Sequence, residues 1–173
     1  MTKIQLLLAA LLPLVCAAQT PQPPKTATST EKLLWEWNDI ARKVNALAEE
    51  FPEAKYDFSP APEVRTFAGQ LLHIAFWNQV VEKASRGEKV ETKLNELPRS
   101  EYKTKAAVAA AVRDSFSRVT DLLKAQSSQD TLKELTRWAN FLEHNGEHYG
   151  EHYGQLVIYY RLNGLVPPES RPR

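Results

Sequence analysis

The sequence predicts an all-α protein, and more specifically an antiparallel four-helix bundle. Four long segments carry apolar residues about every three or four positions, the spacing of a helix that buries one face. No segment alternates apolar and polar residues as a half-buried strand does. Polar or proline-containing connections separate the four segments, so the helices can fold back on one another.

Boundary signals delimit the first two helices. Ser29 or Thr30 can cap the first helix, and the step Phe51-Pro52 ends it. The second helix follows a loop with three prolines, and Pro62 is expected in its first turn. Since it is apolar on nearly every face, this helix is predicted to be buried.

The third helix is predicted over residues 101–125 and the fourth over residues 131–162, where Asn163-Gly164 provides a stop. Residues 127–130 form the break between them and could cap the fourth helix. A break at Asn145-Gly146, which would divide the fourth segment into two helices, remains an alternative. The tail, residues 166–173, is rich in proline and is expected not to be helical.

The N-terminus is predicted to be a secretory signal peptide, residues 1–18. Lys3 precedes an apolar run over residues 4–15, and the small residues Ala17 and Ala18 favour cleavage after Ala18. Residues 19–29 are then a flexible linker and residues 30–173 the bundle domain. An uncleaved anchor and a lipid attached at Cys16 are the alternatives. The expected location is periplasmic or secreted, with no membrane contact after cleavage.

Composition narrows the possible chemistry. The chain holds 22 basic and 21 acidic residues with no basic block, which argues against a nucleic-acid partner. Cys16 is the one cysteine of the chain and would be removed with the signal peptide. Any metal in the mature protein would therefore be bound by nitrogen and oxygen atoms.

Three of the four histidines, His144, His148 and His152, are spaced four residues apart, which places them on neighbouring turns of one helix. The helical projection puts His152 at the edge of the apolar stripe, His148 further out and His144 towards solvent. We therefore predict that His148, His152 and His73, from the buried second helix, bind a divalent metal ion. Three protein ligands leave one position open, as in catalytic sites. The alternative for His73 is a buried core histidine that binds no metal and donates a hydrogen bond to a backbone carbonyl.

Neighbouring residues suggest further roles. Glu147 and Glu151 are candidates for a general base or for a hydrogen-bond partner of the metal ligands. The alternative is that both are solvated surface charges.

Residues 148–152 also match the protease pattern H-x-x-E-H, which requires a third metal ligand further along the chain. After His152 the chain offers one carboxylate, in a proline-rich tail, which argues against a protease. Glycines at 146, 150 and 154 form a stripe where another helix could approach closely.

Two segments also carry a family resemblance: PEAKYDFSPAPEVRTFAGQLLHIAFWN at 52–78 and EHYGQLVIYYRLNGLVPPES at 151–170. They resemble the DinB-like superfamily of four-helix metal-binding proteins, which includes bacterial thiol S-transferases. The family's histidine in the first motif maps to His73, and its histidine pair before Gly-Gln maps to His148 and His152. The resemblance implies an antiparallel bundle, a divalent ion such as zinc or nickel, and a homodimer.

The predicted function is that of an exported metal-dependent hydrolase or transferase acting on a small molecule. The alternative is a bundle that binds metal or a ligand without turnover. A purely structural or dimerising bundle is a third interpretation, in which the histidines are incidental. Fold resemblance does not decide among them, because one fold supports many functions.

Overall fold

The computed structural model describes residues 25, 29–89, 91–127 and 132–172, excluding the side chains of residues 29–30, 126–127 and 132–146. Four α-helices make up most of this part: α1 (Ser29–Glu50), α2 (Phe67–Ser85), α3 (Lys105–Ser127) and α4 (Leu132–Leu162). Single 3₁₀ turns lie at Glu53–Lys55 and Pro168–Ser170. Since the described ranges contain no strand, the all-α class is confirmed.

Helices α1 and α4 run in the same direction. Trp37, early in α1, packs edge-on against Tyr149 with ring centroids 5.3 Å apart. Near the C-terminal ends of both helices, the Tyr160 hydroxyl donates to the carbonyl of Leu47 at 2.8 Å. Both residue numbers increase together, so the two helices are parallel.

Helices α2 and α3 form the other parallel pair. Asn78 donates to the Ser115 hydroxyl at 2.9 Å, and Arg118 donates to Glu82 at 2.9 Å. The antiparallel neighbours are α1 with α3, where Trp37 donates to Thr120 and Glu49 pairs with Arg113, and α2 with α4, where Gln70 donates to Gln155. In agreement with this direction, Asn78 accepts a hydrogen bond from the Tyr149 hydroxyl at 2.6 Å, on the α4 side.

The parallel pairing of α2 and α3 has a consequence for their connection, residues 86–104. The chain leaves α2 at one end of the bundle and must return along the whole helix before α3 can begin. Leu97 marks this return, since its amide donates to the carbonyl of Leu72 in the middle of α2 at 3.3 Å. The connection is therefore a packed crossover and not a free loop.

Two helix starts differ from the sequence prediction. Thr66, in an extended conformation, accepts from the amide of Gly69 at 3.0 Å, so α2 begins at Phe67 and Pro62 lies outside it. Thr104 accepts from the amide of Ala107 at 3.1 Å, and α3 begins at Lys105 instead of residue 101. In both places a threonine cap determines the first turn, because its oxygen satisfies an amide that has no partner within the helix.

The C-terminal tail is not helical apart from the short 3₁₀ turn at Pro168–Ser170. It packs on α1, where Arg42 contacts Glu169 at 2.6 Å and Arg171 pairs with Glu50. The tail therefore belongs to the folded domain.

The stripe of glycines does not bring another helix close. A methyl group placed on Gly150 or Gly154 would meet no atom within 4 Å, because both residues face solvent. The predicted close approach is wrong for these two positions. Helix α4 runs without interruption from Leu132 to Leu162, so the alternative break at Asn145-Gly146 is also wrong.

Several predictions concern parts of the chain outside the described residues. These are the signal peptide, all of the linker except Lys25 and Ser29, residues 128–130 of the predicted break at 127–130, the side chain of His144 and the surroundings of Gly146. Ser127, the first residue of that predicted break, is the last residue of α3. Among the described helices, none has an apolar stretch long enough to cross a membrane.

Candidate metal centre

Three histidines meet between α2 and α4. The ring centroids of His148 and His152 are 4.2 Å apart, those of His73 and His152 are 4.7 Å apart, and those of His73 and His148 are 5.5 Å apart. One nitrogen from each ring lies within 4.8 Å of the other two. His73 and His152 are buried and His148 is half-buried, and the group could hold a metal ion.

The antiparallel pairing of α2 with α4 creates this cluster. His148 and His152 lie one turn apart and share a face of α4, as residues i and i+4 do. That face is turned towards α2. His73 projects from the middle of α2, which is buried on nearly all sides. The three residues predicted from the sequence are thus brought together by helices that are far apart in the chain.

A backbone carbonyl determines which nitrogen of His73 is available. His73 Nδ1 lies 2.5 Å from the carbonyl oxygen of Asn95, an atom that can only accept. Nδ1 must therefore carry the proton and donate it. The lone pair then remains on Nε2, the form of histidine that binds a metal.

Two glutamine amides flank the outer nitrogen of His152. Gln155 Oε1 lies 3.0 Å from His152 Nδ1, and Gln70 Nε2 lies 2.5 Å from it. With a proton on Nδ1, the ring donates to Gln155 and its Nε2 lone pair is available for a metal. With the proton on Nε2, Nδ1 instead accepts from Gln70. His152 consequently has a partner in either tautomer, with or without a bound ion.

The inner nitrogens of His148 and His152 face each other, with Nε2 atoms 2.8 Å apart. Two lone pairs at this distance would repel, so the pair must share either a proton or a cation. Imidazole nitrogen is a ligand that suits zinc and nickel. The chemistry of the donor atoms therefore fits the predicted class of ion.

Electrostatics favour the neutral, ligating form of the rings. Burial lowers the pKa of His73 from 6.5 to about 4, with a smaller lowering contribution from the positive charge of Arg65. Burial also lowers the pKa of His152, again with Arg65 acting in the same direction. Near neutral pH both rings are therefore uncharged and need lose no proton when they bind a metal.

The depressed pKa of His73 predicts that the metal-free protein loses stability in acid. As pH falls from 6.5 towards 4, the unfolded chain takes up a proton at this residue while the folded state does not. We expect this residue to lower the free energy of unfolding by about 2 kcal/mol between pH 7 and pH 4.5, measured by urea denaturation with chelator present.

The matched control for this measurement is His73→Gln. Its amide can still donate to the Asn95 carbonyl but does not titrate in this range. Carboxylates common to both proteins cancel in the comparison. Equal pH dependence in the two proteins would contradict the prediction.

A pocket of about 700 Å³ adjoins the cluster on the side of Gln70 and Gln155. Arg65 lies on its wall, where its Nε donates to Glu96 at 2.8 Å. The exposed apolar side chain of Ile158 forms another part of the wall. The pocket thus combines one guanidinium, carboxylates and apolar surface beside the residues that support His152.

The structure does not bring the two candidate glutamates into the cluster. Glu147 and Glu151 are exposed, and in the described part of the chain neither makes a hydrogen bond to the histidines. Their assignment as general base stays a prediction. The side chain of His144 lies outside the described residues.

Sequence reasoning missed the residues that support the rings, namely Gln70, Gln155 and Asn95. Two of them had a detectable signal, since Gln70 lies three positions before His73 and Gln155 three positions after His152, which is one helical turn. Asn95 had none, because it reaches His73 from the crossover connection.

The four-helix bundle and the three converging histidine nitrogens place this chain among helical-bundle proteins whose core could hold a metal ion. The model of the DinB superfamily matches residues 36–156, a range that includes all three histidines. The chain belongs to the DinB superfamily, and the family resemblance predicted from the sequence is confirmed. No curated protein matches the chain.

Proposed function

We propose that this protein is an exported metal-dependent enzyme, a hydrolase or a transferase that acts on a small molecule. The ion would be zinc or nickel, held by His73, His148 and His152. The observation that carries the proposal is the convergence of three imidazole nitrogens with no fourth protein ligand among the described residues. The charged start and apolar run of residues 1–18 support export.

A divalent ion bound in this way supplies a Lewis acid that lowers the pKa of a water or thiol entering the open position. The chain's own residues orient the ligand rings. The carbonyl of Asn95 and the amide of Gln155 hold the outer nitrogens of His73 and His152, and so keep the inner nitrogens directed at one point.

The adjoining pocket supports a small-molecule substrate. Its volume of about 700 Å³ suits a ligand of ordinary metabolite size. Within the described ranges Arg65 makes one side-chain hydrogen bond, through Nε to Glu96, which leaves its two terminal nitrogens to meet an acidic group of the substrate.

A specific observation also favours the second candidate, a bundle that binds metal or ligand without turnover. Catalysis at such a site commonly uses a general base, and both Glu147 and Glu151 face solvent. If neither carboxylate reaches the substrate, an ion in the open site would serve for binding alone.

The test begins with the mature protein, residues 19–173, purified without chelators or a histidine tag. Mass spectrometry should find about one divalent ion per chain. The loaded and the chelator-treated proteins are then assayed side by side for ester hydrolysis and for thiol transfer. Turnover only in the loaded protein supports the enzyme, and a loaded but inactive protein supports the binding alternative. A protein that takes up neither zinc nor nickel would overturn the enzyme and the metal-binding form of the alternative.

A further inference from the structure

We infer that Asn95 is a positioning residue for the metal centre and that its left-handed backbone conformation is what performs this role. The inference deepens the proposed function, since it concerns the same histidines. It assigns the orientation of His73 to a single residue of the connection between α2 and α3, 22 positions away in the sequence.

The backbone of Asn95 has an unusual conformation. Its φ of 57° makes it the one non-glycine residue with positive φ in the described part of the chain. Asparagine tolerates this region better than most residues, whereas a β-branched residue is a genuine outlier there. The amide of Asn95 donates to the carbonyl of Thr92 at 3.2 Å and so closes a tight turn.

This turn directs both acceptor groups of Asn95 at side chains of α2. Its carbonyl oxygen accepts from His73 Nδ1 at 2.5 Å, and its side-chain Oδ1 accepts from the indole N–H of Trp77 at 2.9 Å. Trp77 lies one turn after His73 on α2, and its ring centroid is 6.2 Å from that of His148. One residue therefore orients both a ligand ring and the aromatic side chain beside it.

The flanking residues hold Asn95 at this position. Glu96 pairs with Arg65 at 2.8 Å, and the Leu97 amide donates to Leu72 at 3.3 Å. Both contacts attach the crossover to α2 or to the residues just before it. Because the crossover is attached directly after Asn95, these contacts help to hold the φ of Asn95 and keep its carbonyl against His73.

The backbone role and the side-chain role can be separated by substitution. Asn95→Gly keeps the carbonyl and accepts positive φ readily, but it removes Oδ1. Asn95→Val also removes Oδ1, and in addition it disfavours positive φ. Trp77→Phe removes the indole donor and leaves the backbone of Asn95 unchanged. If the backbone positions His73, only the valine variant should disturb that ring.

The first readout is the tautomer of His73 in the metal-free protein near neutral pH, determined from long-range proton–nitrogen correlations in NMR spectra. The missing signals of His73→Gln assign the resonances. We expect the proton on Nδ1 in the wild type, in Asn95→Gly and in Trp77→Phe. In Asn95→Val we expect a substantial fraction of the Nε2–H tautomer. This readout involves neither metal nor activity, so it can fail independently of the proposed function.

The second readout is zinc affinity, measured by competition with a chromophoric chelator. Loss of a group that orients a ligand histidine typically lowers metal affinity 10- to 100-fold. We expect a decrease of about this size for Asn95→Val and a clearly smaller one for Asn95→Gly. Should the valine variant fail to fold, Asn95→Ala replaces it, because alanine disfavours positive φ less severely.

Either of two results would overturn the inference. One is a valine or alanine variant that keeps the Nδ1–H tautomer and wild-type affinity. The other is a glycine variant that loses both as fully as the valine variant, since the side chain and not the backbone would then be the operative group.

Discussion

Replacing His152 with alanine is expected to lower the affinity for zinc or nickel by more than about 100-fold, since removal of a ligand should exceed the effect of removing its supporting partner. His152 is the central ring of the cluster. Its Nε2 lies 2.8 Å from that of His148, and its ring centroid lies 4.7 Å from that of His73. Without it, the two remaining rings are those farthest apart, so simultaneous binding of one ion becomes difficult.

The same titration with His144→Ala provides a matched control. His144 stands four residues before His148, and the sequence alone would allow these two to form an alternative pair. We expect His144→Ala to bind as the wild type does. Strong binding by the His152 variant together with weak binding by the His144 variant would show that the ligand set is wrong.

Replacing Phe67 with alanine is expected to lower the free energy of unfolding by about 3–5 kcal/mol, the usual range for a buried phenylalanine. Its side chain is fully buried. Its ring stacks on Phe51 with centroids 3.9 Å apart and meets Tyr56 and Tyr159 edge-on at 5.3 Å and 5.8 Å. Phe67 is also the first residue of α2, so it joins that helix to the segment directly after α1 and to α4 at one end of the bundle.

A loss of this size is a large part of the about 5–15 kcal/mol that stabilises a typical domain. Urea denaturation monitored by circular dichroism would measure it. Leu162→Ala serves as control, because Leu162 is 58% exposed and its truncation should change stability by less than about 0.5 kcal/mol. A loss below 1 kcal/mol for Phe67→Ala would mean that the surrounding rings close the cavity at little cost.

The two predictions probe different parts of the bundle, the aromatic core around Phe67 and the histidine cluster around His152. Phe67 holds the start of α2 in the aromatic core, and His73 projects from the middle of α2 towards α4. Stability and metal binding should therefore respond to different substitutions. A variant that lost both properties at once would indicate a general failure of the fold.

Much of the site was predictable from the sequence because the relevant signals are local. Helical periodicity places His148 and His152 on neighbouring turns of one helix, whatever the rest of the chain does. The nearly uniform apolarity of α2 places His73 inside the protein. The glutamines one helical turn from these histidines are accessible to the same reasoning.

The glutamates and glycines show where a local pattern becomes ambiguous. Glu151 is next to His152 in the sequence, but adjacent residues on a helix point about 100° apart, and the carboxylate faces solvent. The glycines at 150 and 154 share a stripe, yet the structure leaves that stripe open. A spacing shows which residues share a face and not what that face contacts.

By itself, the sequence determined four helices, a buried His73 and a histidine pair on one side of α4, because each depends on residues within a few turns of one another. Only the tertiary structure decided that α2 and α3 run parallel, which requires the connection between them to return along α2. That return brings Asn95 to His73 and Trp77. Such contacts depend on the packing of distant segments, and no periodicity within a single segment encodes their direction.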